Sequence, residues 1–366
     1  MNIAIKRCTR CVLPETFPHI KFDNNGVCNV CLDHDRKWSS WKNGGSIKAS
    51  NKLSKIFTNV KKIKHKYDCL VPFSGGKDST YVLYICKNVF KLNVLAFNFN
   101  NGFQTEEAIT NISHAVKLLD VDLVTISPRW SLMKELYSSF LLKAGEACTP
   151  CNMGIDLGSH RIAQQENIPL IVMGYSPRTE ECSPKEIYTY NKKYFMNVIK
   201  RNKCGTIISG TLYQDLNKNT SFIDRKKQAL SHKYFKKLDS LKIASIFNTP
   251  LRINLPEYIE WNENEMFCIL KDKLNWEESK FGKEHMDCEI SPVKCYLRYQ
   301  RWGFGSKTQK YAALVRNGQI NRNFALELLK EEENEPKENL NILLNKLNLT
   351  SSHLEEIKKS SHLDYL

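Results

Sequence analysis

The sequence predicts an α/β chain built on a doubly wound parallel sheet, with a small metal-stapled module before it and a mainly helical region after it. Three observations carry this. From Asp68 onward, short apolar runs alternate with longer helical stretches. The first of those runs ends in a serine- and lysine-bearing Gly-Gly turn. Two cysteine pairs crowd into residues 1–40. Strands of a few mainly apolar residues separated by helices imply right-handed crossovers and a sheet buried on both faces.

Residues 1–40 hold Cys8, Cys11, Cys28 and Cys31, few apolar runs and the turn Asn24-Asn25-Gly26, which suits a module held by metal rather than by a core. Residues 41–67 form a basic linker or helix: eight lysines and no acidic residue lie between Trp41 and Tyr67, and Gly44-Gly45-Ser46 marks a break before a helix expected to pack on the next domain. The sheet domain spans 68–240. Strands are expected at Cys69–Phe73, Val94–Phe99, Leu123–Ile126 and Leu170–Met173, and helices at 77–90, 105–119, 131–144 and 155–167. Its segment 176–240 loses that rhythm, with thirteen Lys or Arg against three acidic residues between Lys185 and Lys237, and reads as an insertion or substrate-facing segment. Residues 241–366 turn helical and are expected to serve substrate binding or a homo-oligomer contact. Ser352 with Glu355 has the form of a capping box opening the last helix.

The loop Ser74-Gly75-Gly76-Lys77-Asp78-Ser79 lies between a strand and a helix, where free backbone N–H groups and the positive helix end converge on one point. Two glycines let the backbone approach phosphate oxygens, Lys77 adds a positive charge, and Ser74 and Ser79 add hydroxyls. Asp78 would repel phosphate unless a cation stands between them, which implies Mg2+. The loop is not a kinase-type P-loop, because Val71 stands where the first glycine belongs and Asp78 follows the lysine.

Ser74 to Ser79 resembles the PP-loop of the ATP-pyrophosphatase superfamily (HUP-like fold), whose members cleave ATP to AMP and pyrophosphate and adenylate an oxygen for displacement by nitrogen or sulfur. The resemblance implies ATP as cofactor, with Ser74, Gly75, Gly76, Lys77 and Ser79 holding pyrophosphate and Asp78 near the metal. Phe99-Asn100-Asn101-Gly102 resembles the family's second-strand turn, with Asn100 or Asn101 in place of its acid. Val172-Met173-Gly174-Tyr175 resembles the segment closing on the nucleotide, Gly174 giving close approach.

Cys8-x-x-Cys11 and Cys28-x-x-Cys31, sixteen residues apart, fit two knuckles converging on one structural Zn2+. Cys148-Thr-Pro-Cys151 stands near a helix start, where a thiolate is favoured. Three readings stay open for it: two ligands of an iron-sulfur cluster completed by Cys288, a redox or sulfur-carrying pair, or part of the substrate pocket. Cys69 and Cys86 read as small hydrophobes of the core.

Near the C-terminus, Trp302-Gly303-Phe304-Gly305 and then Val315-Arg316-Asn317-Gly318-Gln319-Ile320-Asn321-Arg322 resemble the N-acetyl sugar amidotransferases of surface polysaccharide and nonulosonic acid pathways. That resemblance implies conversion of a sugar acetamido group to an acetamidino group, with Arg316 and Arg322 holding anionic groups of the substrate. His285 or Asp287 would take a proton from incoming ammonia. The chain shows neither a Cys after the initiator Met nor a Gly-x-Cys-x-Gly elbow, so a separate glutaminase subunit is expected to supply ammonia.

A formal charge of +15 points to an anionic partner: RNA, a nucleotide or a nucleotide-linked sugar. Thirteen cysteines with these spacings read as ligands, thiols and core residues of a reducing compartment rather than as a disulfide framework. No run approaches the roughly 18 apolar residues of a membrane span, and Met1 to Cys11 lacks an apolar signal core, so no membrane association and a cytoplasmic address are expected. The rival expectation is a tRNA thiolase of the same superfamily, with nucleic acid as partner. The cysteines and basic charge suit it, although Tyr188, Tyr190, Tyr194 and Phe195 form no RNA-binding motif.

Overall fold

In a computed structural model the chain is described over residues 5–41, 46–62, 65–175, 178, 183–201, 212–213, 250–281, 287–330 and 334–366. Five parallel strands run in the order β3-β2-β1-β4-β5: β1 Cys69–Pro72, β2 Val94–Phe99, β3 Asp122–Ile126, β4 Leu170–Met173 and β5 Leu251–Asn254. The first four stand where the apolar runs place them. The fifth lies in the stretch expected to be mainly helical; Leu251 to Asn254 pair with Leu170 to Met173 and extend the sheet.

Alternation along each strand sends side chains to two cores. Leu70, Leu95, Phe97, Phe99 and Ile171 point to one face, packed by α5 (Trp130–Ala144) and α6 (Cys148–Gln165), with α7 (Lys192–Arg201) against them. Val71, Val94, Ala96, Leu170 and Val172 point to the other, packed by α2 (Ser46–Lys61), α3 (Lys77–Tyr84), α4 (Glu106–Leu119) and α8 (Glu263–Leu274). The basic helix expected after the linker is α2, which buries Leu53, Phe57 and Val60. Part of the basic segment is also core: Tyr194 and Phe195 of α7 pack on Phe140 with ring centroids 5.7 and 5.2 Å apart.

Two local expectations change. The helix expected from 155 begins at Cys148, because Glu146 accepts a hydrogen bond from the Cys148 N–H at 2.8 Å and anchors an earlier turn. The last helix, α13 (Ser351–Lys359), is capped not by Ser352 and Glu355 but by Thr350 and His353, whose ring nitrogen takes the Thr350 N–H at 3.1 Å. Glu355 pairs with Lys358 instead.

Between β5 and the C-terminus lie α8, α9 (Ser291–Trp302), α10 (Ser306–Arg316), α11 (Arg322–Leu329), α12 (Lys337–Leu347) and α13. The N-terminal module, with α1 (Asn29–Ser40), shares a third core with them: Val12, Leu13 and Phe17 pack with Phe304, Tyr311, Leu314 and Ala325. Among the described residues no helix is long and apolar enough to cross a membrane.

Candidate active site

The sheet order reverses between β1 and β4, and the carboxyl ends of these strands form the crevice where open α/β sheets bind ligands. Ser74 to Gly76 fill that position. Gly75 has φ +83°, and a Cβ there would stand 2.2 Å from the Ala108 carbonyl oxygen, so both the backbone sign and the packing require glycine. Its carbonyl accepts hydrogen bonds from Trp276 Nε1 (2.9 Å) and Asn111 Nδ2 (3.3 Å). Ser79 Oγ accepts from the Ser74 N–H at 3.2 Å and lies 3.1 Å from Ser74 Oγ, holding the loop in a tight arc before α3. Gly174, at the end of β4, lets that strand approach the Asp78 backbone, which a Cβ would meet at 3.2 Å.

Lys77 is 7% exposed and ion-paired to two carboxylates, Asp78 Oδ2 at 2.5 Å and Glu263 Oε1 at 3.1 Å. Lys310 Nζ reaches the same Glu263 oxygen at 2.7 Å. Burial pushes the Glu263 carboxyl up, but Lys77 and Lys310 outweigh it and hold the group at about 2. The second Asp78 oxygen accepts from Trp261 Nε1 at 3.1 Å. Asp78, expected near a metal, is therefore engaged by Lys77 and Trp261. Glu263, Lys310, Trp261 and Trp276 carried no motif in the sequence, because only the fold brings them to the loop.

Of the two asparagines after β2, Asn100 accepts from the Gly102 N–H and shapes the turn. Asn101 is the one that points inward: its Nδ2 donates to Cys151 Sγ at 3.4 Å and lies 3.9 Å from Cys288 Sγ. Cys288 is brought there by a bridge to Gln104. Its neighbour Asp287 packs on Gly76 and hydrogen-bonds Ser74, so the cysteine group adjoins the phosphate loop. Burial raises the Asp287 carboxyl, with Ser74 working against it. His285 lies outside the described residues.

Although Cys148 opens α6, burial and then the Glu146 charge push its thiol well up rather than down. Burial likewise pushes Cys151 to about 12, against the Asn101 hydrogen bond, and burial with the Asp287 charge pushes Cys288 to about 12. Lys294 of α9 opposes all three shifts, a cation at this site that lay in no recognisable motif.

The second cysteine group differs. Cys8, Cys11, Cys28 and Cys31 are fully buried, with all four Sγ atoms within 4.8 Å of one another, and can hold a metal ion. Cys8 Sγ accepts from the Cys11 and Cys28 N–H groups at 3.4 and 3.2 Å, contacts suited to a thiolate. Arg322, expected at the substrate, lies here: its Nε donates to the Cys8 and Cys11 carbonyls at 3.0 Å each. Arg316 is 3% exposed at the end of α10, its charge opposing that of Arg10 in the module.

Residues 276–366 match the family described as the C-terminal domain of WbpG-like LPS biosynthesis proteins. The chain is 22% identical over 332 residues to an uncharacterized protein of Methanocaldococcus jannaschii, MJ1599, covering 90% of this chain and 94% of that one. Among solved structures, the NH3-dependent NAD synthetase from Campylobacter jejuni, in complex with nitrate, aligns at 15% identity over 56% of this chain and 93% of its own, with TM-score 0.28. The U34-tRNA thiolase NcsA from Methanococcus maripaludis, with its 4Fe-4S cluster, aligns at 16% identity over 94% and 99%, with TM-score 0.32. Residues 276–366 thus match a WbpG-like C-terminal domain, and the loop at Ser74 to Ser79, presented at the switch point of a parallel sheet, has the form of a PP-loop.

Proposed function

We propose that this chain is an ATP-dependent amidotransferase that converts the acetamido group of an anionic N-acetyl sugar to an acetamidino group, releasing AMP and pyrophosphate. The carrying observation is that the WbpG-like region is built into the nucleotide loop: Trp276, its first residue, donates to the Gly75 carbonyl, and Lys310 reaches the carboxylate that holds Lys77. An amide carbon is a poor electrophile. Attack of the acetamido oxygen on the α-phosphorus expels pyrophosphate and turns that oxygen into part of an AMP leaving group. Ammonia then adds to the imidate carbon, loses a proton, and AMP departs with the oxygen.

In this reading Lys77 and the N–H groups of the loop stabilise charge developing on the phosphates, and Asp287, whose raised carboxyl adjoins the loop, accepts the ammonia proton. Mg2+ near Asp78 would neutralise the bound phosphates once Asp78 releases Lys77. The four-cysteine module suits Zn2+: its Cys8–Cys31 and Cys11–Cys28 sulfur separations are 3.9 and 3.8 Å, matching the edge of about 3.8 Å that Zn–S bonds of about 2.3 Å give a tetrahedron. A separate glutaminase would supply ammonia.

A second reading, an iron-sulfur-dependent tRNA thiolase, is favoured by one observation: Cys151 and Cys288 meet at Asn101, one helical turn from Cys148 and beside the loop. AMP release separates the two. Release that requires a nucleotide-linked N-acetyl sugar and ammonia supports the amidotransferase. Release that requires tRNA and a sulfide source overturns it.

A further inference from the structure

Two lysines from distant parts of the chain share one carboxylate oxygen at the mouth of the phosphate loop. Lys77 opens α3, Lys310 lies on α10 of the C-terminal domain, and both ammonium groups converge on Glu263 Oε1, at 3.1 and 2.7 Å. All three side chains are largely enclosed: Lys77 is 7% exposed, Lys310 8%, and the Glu263 side chain 21%. Glu263 is fixed there because it opens α8, whose N-cap Asn262 accepts from the Asn264 and Glu265 N–H groups. Two buried ammonium groups this close repel each other unless an anion stands between them. Asp78 on Lys77 supplies the other negative charge, so the quartet balances without any ligand.

We propose that Lys310 is a second phosphate-binding residue of the nucleotide site, and that Glu263 is a placeholder anion occupying Lys77 and Lys310 until a phosphate group takes its position. The C-terminal domain then helps bind the nucleotide rather than only covering it. A phosphate oxygen offers the same chemistry as the carboxylate oxygen, an anionic acceptor for charge-assisted N–H bonds, but carries more charge. Exchange of one for the other costs no new desolvation of the lysines, because both are already buried in an ion pair.

The inference rests on the loop's being an ATP site, and the test separates the two claims. Binding of Mg2+-pyrophosphate, ATP and AMP to the full-length chain is measured by calorimetry for the wild type, Lys310→Ala, Lys310→Arg and Glu263→Gln. Lys310→Ala is expected to weaken pyrophosphate and ATP by about tenfold or more while leaving AMP affinity within about twofold, since charge-assisted bonds are worth roughly 1.5–3 kcal/mol. Lys310→Arg is expected to recover most of the loss, and Glu263→Gln, with the competing anion gone, to bind pyrophosphate several-fold more tightly. Lys310→Ala binding pyrophosphate as the wild type does would overturn the role of Lys310. Glu263→Gln losing pyrophosphate affinity would overturn the placeholder. A wild type that binds neither ATP nor pyrophosphate would remove the ATP reading itself, and this inference with it.

Discussion

Both cysteine groups of this chain begin from the same Cys-x-x-Cys spacing, yet they fold into different chemistry. At Cys8, Cys11, Cys28 and Cys31, a loop and the first turn of α1 supply pairs that face each other, the sulfurs converge, and backbone N–H groups point at them. At Cys148 and Cys151 the pair lies on one turn of α6, a third thiol arrives from Cys288, and an amide stands between two of the three. The first group is closed and fully buried, and the second is half-buried beside a phosphate loop. Spacing therefore identifies a pair of thiols, while the partner segment decides whether four of them close on one another or three stand apart beside the loop.

The largest expected effect separates the groups by metal and stability. Cys8→Ser should lose the bound metal and, because metal binding in such modules is folding free energy, several kcal/mol of a total stability of roughly 5–15 kcal/mol. Cys148→Ser should keep both. Metal analysis and thermal melting of the two variants check this, and equal metal loss in both would break the comparison.

An intermediate effect is expected at Arg322. Arg322→Ala leaves the Cys8 and Cys11 carbonyls without their donor, which should destabilise by about 1–3 kcal/mol. It should also speed removal of the module's metal by a chelator, followed with a colorimetric indicator. Unchanged melting and unchanged metal release would show that the guanidinium adds nothing to the staple.

The smallest effect probes the open group. With Cys151 and Cys288 near 12, the thiolate fraction grows with every pH step below that point, so iodoacetamide labelling of the iron-free protein should rise about tenfold per unit from pH 7 to beyond pH 10 without a plateau. The Asn101 hydrogen bond lowers the Cys151 value. Asn101→Leu should therefore raise it further and slow Cys151 labelling several-fold at fixed pH, read by peptide mass spectrometry. A plateau setting in at about pH 9–10 would mean an ordinary exposed thiol.

Much of the fold was legible because it is local. Four strands announce themselves as apolar runs of four to six residues, and Ser74-Gly75-Gly76 marks the turn between β1 and α3. Strand β5 was not, since Leu-Arg-Ile-Asn is too short and too polar to read as a buried strand before its partner β4 is known. Thr350 displaced Ser352 as the cap because the His353 ring supplies the return hydrogen bond that the sequence pattern expects from Glu or Gln, so Ser352 with Glu355 was the one legible candidate. In the site, the loop residues could be read directly. Their supports could not: Trp276 lies 201 positions from the carbonyl it bonds, and no sequence window contains both. The contact of Arg322 with the cysteine module was equally hidden, since a guanidinium that suits phosphate also suits two backbone carbonyls.

Helix α10 touches both ends of this story, packing Tyr311, Ala312 and Leu314 against the cysteine module while Lys310, one residue away, faces Glu263. Where the module binds a metal and the loop a nucleotide, a helix shared in this way can couple the two equilibria, and any such coupling is reciprocal. Whatever factor the metal adds to nucleotide affinity, the nucleotide must return to metal affinity. If that factor is greater than one, the chain charged with ATP surrenders its metal more slowly than the empty chain, and scarcity of the metal is felt first as a weaker grip on the nucleotide.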